Sequence, residues 1–479
     1  MKKLLLPSLV AALALPAFAA DVPVTVTVDP SKPTYKIPDD YAGLSYETQR
    51  EEPNASDGIY YFRPDNTALI AMFKTLGLKN LRIGGNTVDN LKVPIPTQAD
   101  IDHLFQFAQA AGVKVIYSFR LRNGGNPQQT AEQAKYIADH YGANLLAFSL
   151  GNESDLFLGN WESYKRAWMP LYNAINAVVP NAKYIGPSLT SNSKPYAHDF
   201  ARELMPTGKI VYITQHQYAG GAGNDQKVPE KGIDLMLSKE WPVTKYQTYY
   251  DKFVPGLNGA PWRLEEANNF YNGGAKDISD TFASALWGLD YLYWYAAHGG
   301  QGVNFHNGDQ VAAGQGTAEC RYASFVSSPQ GYNAHPIAYG IKMFNLGSKG
   351  SIVPFTMNDG GSGINLVTYA VLGNDKSLYI TFINKEHVFP TSGDMDHLVA
   401  PANSADVTLT VGPGYTSGKE IVLTAPAVNS KDHVTLGGQG IADNGSFVET
   451  WAPLPAAPVG GTVHIKVPGT SAVLVKLSP

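Results

Sequence analysis

The sequence predicts a (β/α)8 barrel followed by a C-terminal antiparallel β-sandwich. Between residues 38 and 348, eight short β-branched runs alternate with amphipathic stretches, and parallel strands need such helical crossovers. Beyond residue 349 the texture changes to period-2 segments broken by Gly, Pro, Asn and Asp, the spacing of a sandwich. The 479 residues, 44% of them hydrophobic, are too many for one ordinary domain and too apolar for disorder.

In chain order, Lys2 and Lys3 precede an apolar stretch over 4–15 that closes in Ala17-Phe18-Ala19. Residues 1–20 therefore read as a secretory signal peptide cut before Ala20 or Asp21. The stretch falls short of the roughly 18 to 20 apolar residues of a membrane span. The expected destination is the periplasm or the extracellular space, without membrane attachment. Segment 21–37 opens on alternation over 22–28 and is expected to pair with the sandwich, tying both chain ends into one domain. The barrel, 38–348, draws strands from 42–47, 80–84, 114–119, 145–150, 183–187, 210–216, 260–266 and 302–306. Helical patterns fall over 66–76, 98–111, 130–140, 164–178 and 279–297. A doubly wound sheet is the competing arrangement, but no Gly-rich phosphate fingerprint follows the first strand. The sandwich, 349–479, takes strands from 377–384, 406–411, 418–423 and 471–476.

Composition removes several classes of function. Lys and Arg number 36 against 41 Asp and Glu, a net charge of −5, and no basic cluster offers a footprint for nucleic acid. The 27 Tyr and 7 Trp suit the faces of sugar rings as well as a core. Cys320 is the only cysteine, so no disulfide forms within the chain, and no His/Asn pattern supports it as a nucleophile. The 11 His are dispersed and no His-Glu-x-x-His occurs, so neither a metal nor another cofactor is expected. The protein is expected to be a monomer.

Catalytic groups of such barrels sit where strands end at the C-terminal face. The fourth strand ends in Ser149-Leu150-Gly151-Asn152-Glu153 and the seventh in Trp262-Arg263-Leu264-Glu265-Glu266. Either carboxylate alone reads equally well as a solvated loop residue. Together they can face one another across the mouth. Glycosidic cleavage needs such a pair, one carboxyl to protonate the leaving oxygen and one to capture the oxocarbenium-like carbon.

These strand ends resemble those of the retaining glycoside hydrolases built on this barrel, and within them the heparanase and β-glucuronidase family, glycoside hydrolase family 79. The matching stretches are Leu81-Arg82-Ile83-Gly84-Gly85, Leu150-Gly151-Asn152-Glu153, His216-Gln217-Tyr218, and 264–275 followed by Ser279-Asp280-Thr281-Phe282-Ala283. The resemblance implies Glu153 as acid/base and Glu266 as nucleophile, the family carrying Gly where this chain has Glu265. Strand alternation is compatible. It puts Trp262, Leu264 and Glu266 on one side and Arg263 and Glu265 on the other, where they read as a partly exposed ion pair facing the helix layer. His216, Tyr218 and Arg82 are the candidate donors that keep Glu266 ionised.

The resemblance also implies a uronic acid substrate. Its carboxylate would be held by the Tyr271 hydroxyl, the Gly273 N–H and a second tyrosine after strand eight, with Tyr322 favoured and Tyr332 as the rival. Glu47 and Asn86 match positions that contact sugar hydroxyls, and Asn152 would bind the 2-OH, a contact that strengthens in the transition state. The connection 85–113 leaves no room for the linker excised from some heparanases, and the acidic chain with scattered lysines would not concentrate a polyanion. The expectation is an exo-β-glucuronidase acting on aryl glucuronides or β-glucuronide termini of glycans with uncharged or lightly charged aglycones. The alternatives are a neutral-sugar β-xylosidase or β-glucosidase of the same clan and a non-catalytic glycan-binding protein.

Overall fold

The apolar runs form eight parallel strands that close on themselves. They are β2 (Ala42–Glu47), β3 (Asn80–Gly84), β4 (Lys114–Phe119), β5 (Leu145–Leu150), β6 (Tyr184–Leu189), β7 (Ile210–Tyr218), β8 (Trp262–Asn268) and β9 (Val303–His306), numbered after an N-terminal strand β1 (Asp21–Val28). Closure is made by β9 on β2, with Ala42 opposite Val303 and Ser45 opposite His306. The computed structural model describes residues 19–190, 196–309, 319–390 and 402–479. The leader expected over 1–20 lies outside them but for its last two residues.

Local chemistry sets the helices between the strands. Thr97 and Asp100 form a reciprocal capping box at the start of helix Gln98–Ala111, and Gly112 ends it at φ 73. Asn66 caps helix Thr67–Leu76 through the Leu69 N–H. Helix Phe282–Ala297 is apolar all round but for Ser284 and Asp290, and is buried on every side. One side covers the barrel and the other meets the sandwich, where Tyr293 stacks on Tyr369 at 5.0 Å. There, Lys385 and Asp290 form a buried ion pair at 2.9 Å, which the Tyr369 hydroxyl completes by donating to Asp290 at 2.7 Å. Among the described residues no helix is long and apolar enough to cross a membrane.

The sandwich packs a four-stranded sheet against a seven-stranded one. Its core is Val24, Val26 and Val28 with Val407, Leu409, Ile380, Phe382, Val473 and Val475. β1 lies inside the smaller sheet between Phe355–Asn358 and Ser404–Thr410. It pairs antiparallel with the first and parallel with the second, so this sandwich is not antiparallel throughout. A strand arriving from the far end of the chain is free of the hairpin turns that force neighbours antiparallel.

The regular alternation read along β8 fails at its end. Gln215 faces Leu264 while the next residue, His216, faces Glu266, so Glu265 is an extra residue, a β-bulge. The same slip occurs against β9 between Leu264 and Ala267. The bulge turns Glu266 to the same interior as Arg263 and Glu265, and neither of those is an exposed ion pair facing the helices. Both are fully buried. Arg263 closes the barrel floor through Asn304, Asp40 and the Gln301 carbonyl, while Glu265 accepts from Thr214 Oγ1 at 2.6 Å.

Candidate active site

At the C-terminal end of the barrel a cleft of about 750 Å3 opens over the strand ends. Glu47, Asn86, Glu153, His216, Tyr218, Glu266, Tyr271 and Tyr322 line it. Asn152, Arg82 and Gly273 are buried beside it without lining it. Arg82 binds three site residues at once. It donates to Glu266 Oε2 at 2.7 Å, to Ser45 at 3.1 Å and, from its other amine, to Asn152 Oδ1 at 2.7 Å. Asn152 in turn donates to Asn86 at 3.2 Å. The glycines after Arg82 make room for this. A Cβ on Gly84 would stand 2.5 Å from the guanidinium carbon, and one on Gly85 (φ 68) 2.4 Å from Glu47 Oε2.

Glu153 is reached by a strained turn. After Gly151 at φ 85, Glu153 itself is left-handed at φ 45, ψ 44, a conformation costing a non-glycine residue about 1 kcal/mol or more. Its N–H donates to the Ser188 carbonyl at 2.8 Å, and Asp89 fixes the preceding residue by accepting the Asn152 N–H at 2.9 Å. Asp89 also accepts the N–H groups of Leu121 and Arg122 at 2.7 Å, so one buried carboxylate ties the loops after β3, β4 and β5 together.

The two carboxyls meet at His216. Its Nδ1 lies 3.0 Å from Glu153 Oε1 and 3.8 Å from Glu266 Oε2, and one oxygen of each Glu lies with it inside a 4.8 Å sphere of mutual distances. Burial acts to raise the pKa of Glu266. It is outweighed by His306, His216 and Arg82, and by the Tyr218 hydroxyl donating at 2.8 Å, so the carboxyl is held well below the usual carboxylate range. Burial pulls both histidines down, but Glu266 with Glu153 lifts His216 and Glu266 with Glu47 lifts His306, each above the ordinary imidazole value. The arrangement can hold one carboxylate ionised for attack beside a second carboxyl that lines the cleft.

Glu153, His216 and Glu266 are also a three-ligand cluster, the one such set found among the described residues. The Arg82 guanidinium already occupies Glu266 at 2.7 Å, and a cation would stand against that charge. The donor set fits an ion pair better than a metal.

The sequence-named tyrosines separate clearly. Tyr322 lines the cleft near Tyr218 (6.1 Å between rings), which itself stands 6.2 Å from Tyr271. Tyr332 lies away from the cleft, its hydroxyl accepting from Asn66 at 2.7 Å and its ring against Tyr61 and Phe325. The Arg321 N–H donates to the Gly273 carbonyl at 2.7 Å, joining the loops that follow β8 and β9. The buried Gly273 N–H has no acceptor among the described residues.

Sequence reasoning missed His306, which ends β9 between Ser45 (3.1 Å), Glu47 (3.4 Å) and Glu266 (3.7 Å). The strand-end rule that singled out Glu153 and Glu266 would have found it. It also missed the wall over 244–252, where Thr244, Lys245, Thr248, Tyr249 and Lys252 line the cleft. The lysines are therefore not all scattered, since two face the site.

Two family models match the chain. The glycosyl hydrolase family 79 N-terminal domain covers residues 99–293 and the family 79 C-terminal beta domain covers 368–474, together more than half its length. The chain belongs to glycosyl hydrolase family 79. A β-glucuronidase of Aspergillus niger is 24% identical over 364 residues, 64% of this chain and 62% of that protein. Heparanase-like protein 1 of Arabidopsis thaliana is 29% identical over 279 residues, 49% of this chain and 50% of that protein. The matches thus span less than two thirds of these relatives' own lengths. Among solved structures, a 4-O-α-L-rhamnosyl-β-D-glucuronidase of Fusarium oxysporum superimposes with a TM-score of 0.72 at 20% identity, covering 96% of this chain and all of that one. An arabinofuranosidase of family 51 from Xanthomonas axonopodis pv. citri does so with 0.68 at 15% identity, over 96% and 100%. Both share the barrel-and-sandwich fold.

Proposed function

We propose that this family 79 protein is a retaining exo-β-glucuronidase that uses Glu266 as nucleophile and Glu153 as acid/base. The observation that carries the reading is the approach of the two carboxyls about His216, one oxygen of each lying within 4.8 Å of the other, too close to leave a water's width between the groups. A retaining pair needs about 5 to 5.5 Å, whereas an inverting pair needs about 6.5 to 9.5 Å to admit a water. Glu266 attacks the anomeric carbon as Glu153 gives its proton to the departing aglycone oxygen. The charge on Glu266 is consumed in the glycosyl ester. Glu153, now a carboxylate beside the His216 N–H, takes a proton from water as that water's oxygen attacks the same carbon and releases glucuronic acid and Glu266.

Specificity for a uronate rests on neutral donors, the Tyr271 and Tyr322 hydroxyls and the Gly273 N–H, which can cradle an anion without a counter-cation. The similarity to β-glucuronidases of Aspergillus niger and Neurospora crassa supports the same substrate class. A panel of nitrophenyl glycosides is expected to show preference for the β-glucuronide over the β-glucoside and β-xyloside, with the β-anomer of glucuronic acid released first by NMR. Preference for a neutral sugar discards the cradle, and first release of the α-anomer discards the nucleophile.

Export is part of the proposal. The mature protein is expected to begin at Ala20 or Asp21, and N-terminal sequencing of protein recovered from outside the cytoplasm checks it. A chain still starting at Met1 there refutes a cleaved leader.

A further inference from the structure

Below the two carboxyls sits a third that the mechanism above does not use. The bulge in β8 inserts Glu265 into the barrel as a side chain with no solvent exposure. Its Oε1 is held by the Thr214 hydroxyl at 2.6 Å, while its Oε2 has no hydrogen-bond partner. Two more buried polar atoms facing it are equally unpartnered. They are Arg82 Nε, 4.0 Å from Glu265 Oε2, and His216 Nε2, 3.9 Å from Glu265 Oε1. These are the rear atoms of the two groups whose front atoms hold the site. Arg82 grips Glu266 and Asn152 with its outer amines, and His216 meets Glu153 with Nδ1. Buried polar groups are almost always satisfied, so three orphans around one spot mark a place where charge is arranged rather than merely packed.

We infer that Glu265 is a positioning residue, the buried counter-charge behind Arg82 and His216 that keeps His216 doubly protonated and so keeps an N–H aimed at Glu153. This rests on the acid/base role given to Glu153 above. The groups facing His216 are Glu153 after β5, Arg82 on β3, and Glu265 and Glu266 on β8, while Tyr218 on its own strand and His306 on β9 face Glu266. On the helix layer, the buried Tyr164 hydroxyl feels the charge of Glu265. Arg82 pushes the proton off His216 while Glu266 and Glu153 hold it on. The Glu265 carboxyl adds to them from 3.9 Å behind the ring, so losing its charge while Arg82 stays tips the balance toward neutral imidazole. A neutral imidazole can turn a bare ring nitrogen toward Glu153. The carboxylate generated when the aglycone leaves would then lose its donor.

Glu265→Gln keeps the shape and the Thr214 contact and removes the charge. In histidine-labelled full-length protein, the His216 resonance is expected to titrate about one pH unit lower in Glu265→Gln than in wild type. On nitrophenyl glucuronide, whose aglycone leaves without a proton, kcat is expected to fall about tenfold and KM to fall with it, because the loss falls on hydrolysis of the glycosyl ester. Glu265→Asp, which restores the charge, is expected to return both toward wild type. Should Glu265→Gln fail to fold, Glu265→Gly removes the same charge at a bulge that tolerates glycine, and the same displacement is expected of it. A His216 titration at the wild-type pH in the folded variant overturns the inference. So does a Glu265→Asp protein that behaves like Glu265→Gln. The titration needs no turnover, so a wild-type protein inert toward glucuronides would refute the proposed function and leave this comparison readable.

Discussion

Glu266→Ala is expected to lose glucuronide hydrolysis by about five orders of magnitude and to recover part of it with azide. Removing the carboxylate leaves the cleft, the cradle and Glu153 in place, so binding survives while no group can form the glycosyl ester. A small anion can enter the vacated space beside Arg82, Tyr218 and His306, which otherwise hold the Glu266 charge. From there, on the side opposite the leaving group, azide attacks the anomeric carbon as the aglycone departs with the Glu153 proton. The product is the α-glucuronosyl azide. Glu153→Ala should behave in the opposite sense. With nitrophenolate, which leaves without a proton, the glycosyl ester still forms, and azide then attacks from the face where Glu153 stood to give the β-glucuronosyl azide. The stereochemistry of the azide product therefore assigns the two roles separately. An α-azide from Glu153→Ala would reverse the assignment, and turnover undiminished in Glu266→Ala would end the proposal.

The two architectures were legible because each prints a period on the chain. Parallel strands buried on both faces read as mostly apolar runs without alternation, as in Leu-Leu-Ala-Phe-Ser-Leu over 145–150, while the sandwich strands alternate. Glu153 and Glu266 stood out by strand-end position. The failures share one cause. Alternation assumes a regular ladder, and the bulge at Glu265 is a property of how β8 meets both neighbours, so no local pattern along 260–266 announces it. Asp89 was invisible for a similar reason. Its meaning lies in three N–H groups at Leu121, Arg122 and Asn152, more than thirty positions along the chain. The cleft wall over 244–252 was missed because Pro242–Gln247 runs as a π-type turn, whose register departs from the helical period.

Arg82→Met is expected to cost about 3 to 5 kcal/mol of stability and about 100- to 1,000-fold in kcat, because it strips a buried charge of its main partner. Arg82 has no solvent exposure and its guanidinium spans Glu266, Ser45 and Asn152, contacts that a thioether cannot replace. The pH dependence of stability makes the expectation sharper. Glu266 titrates below its ordinary 4.5 in the folded protein, so the stability it contributes is complete above that value and drains away as the pH falls toward the folded one. His216 and His306 titrate above their ordinary 6.5, so their contribution is complete below that value and is lost as the pH rises through the folded values. The cluster therefore stabilises the wild-type fold most between about pH 4.5 and 6.5. Arg82 depresses all three groups at once. Without it, Glu266 takes up a proton at higher pH and both histidines keep theirs to higher pH, so the folded titration points that close off the contribution on either side of the window move upward together. Thermal melts of wild type and Arg82→Met from about pH 3 to 9 read this directly. A uniform loss of stability with neither edge displaced would mean that Arg82 serves the barrel core alone, and the electrostatic account of how Glu266 stays ionised would have to be abandoned.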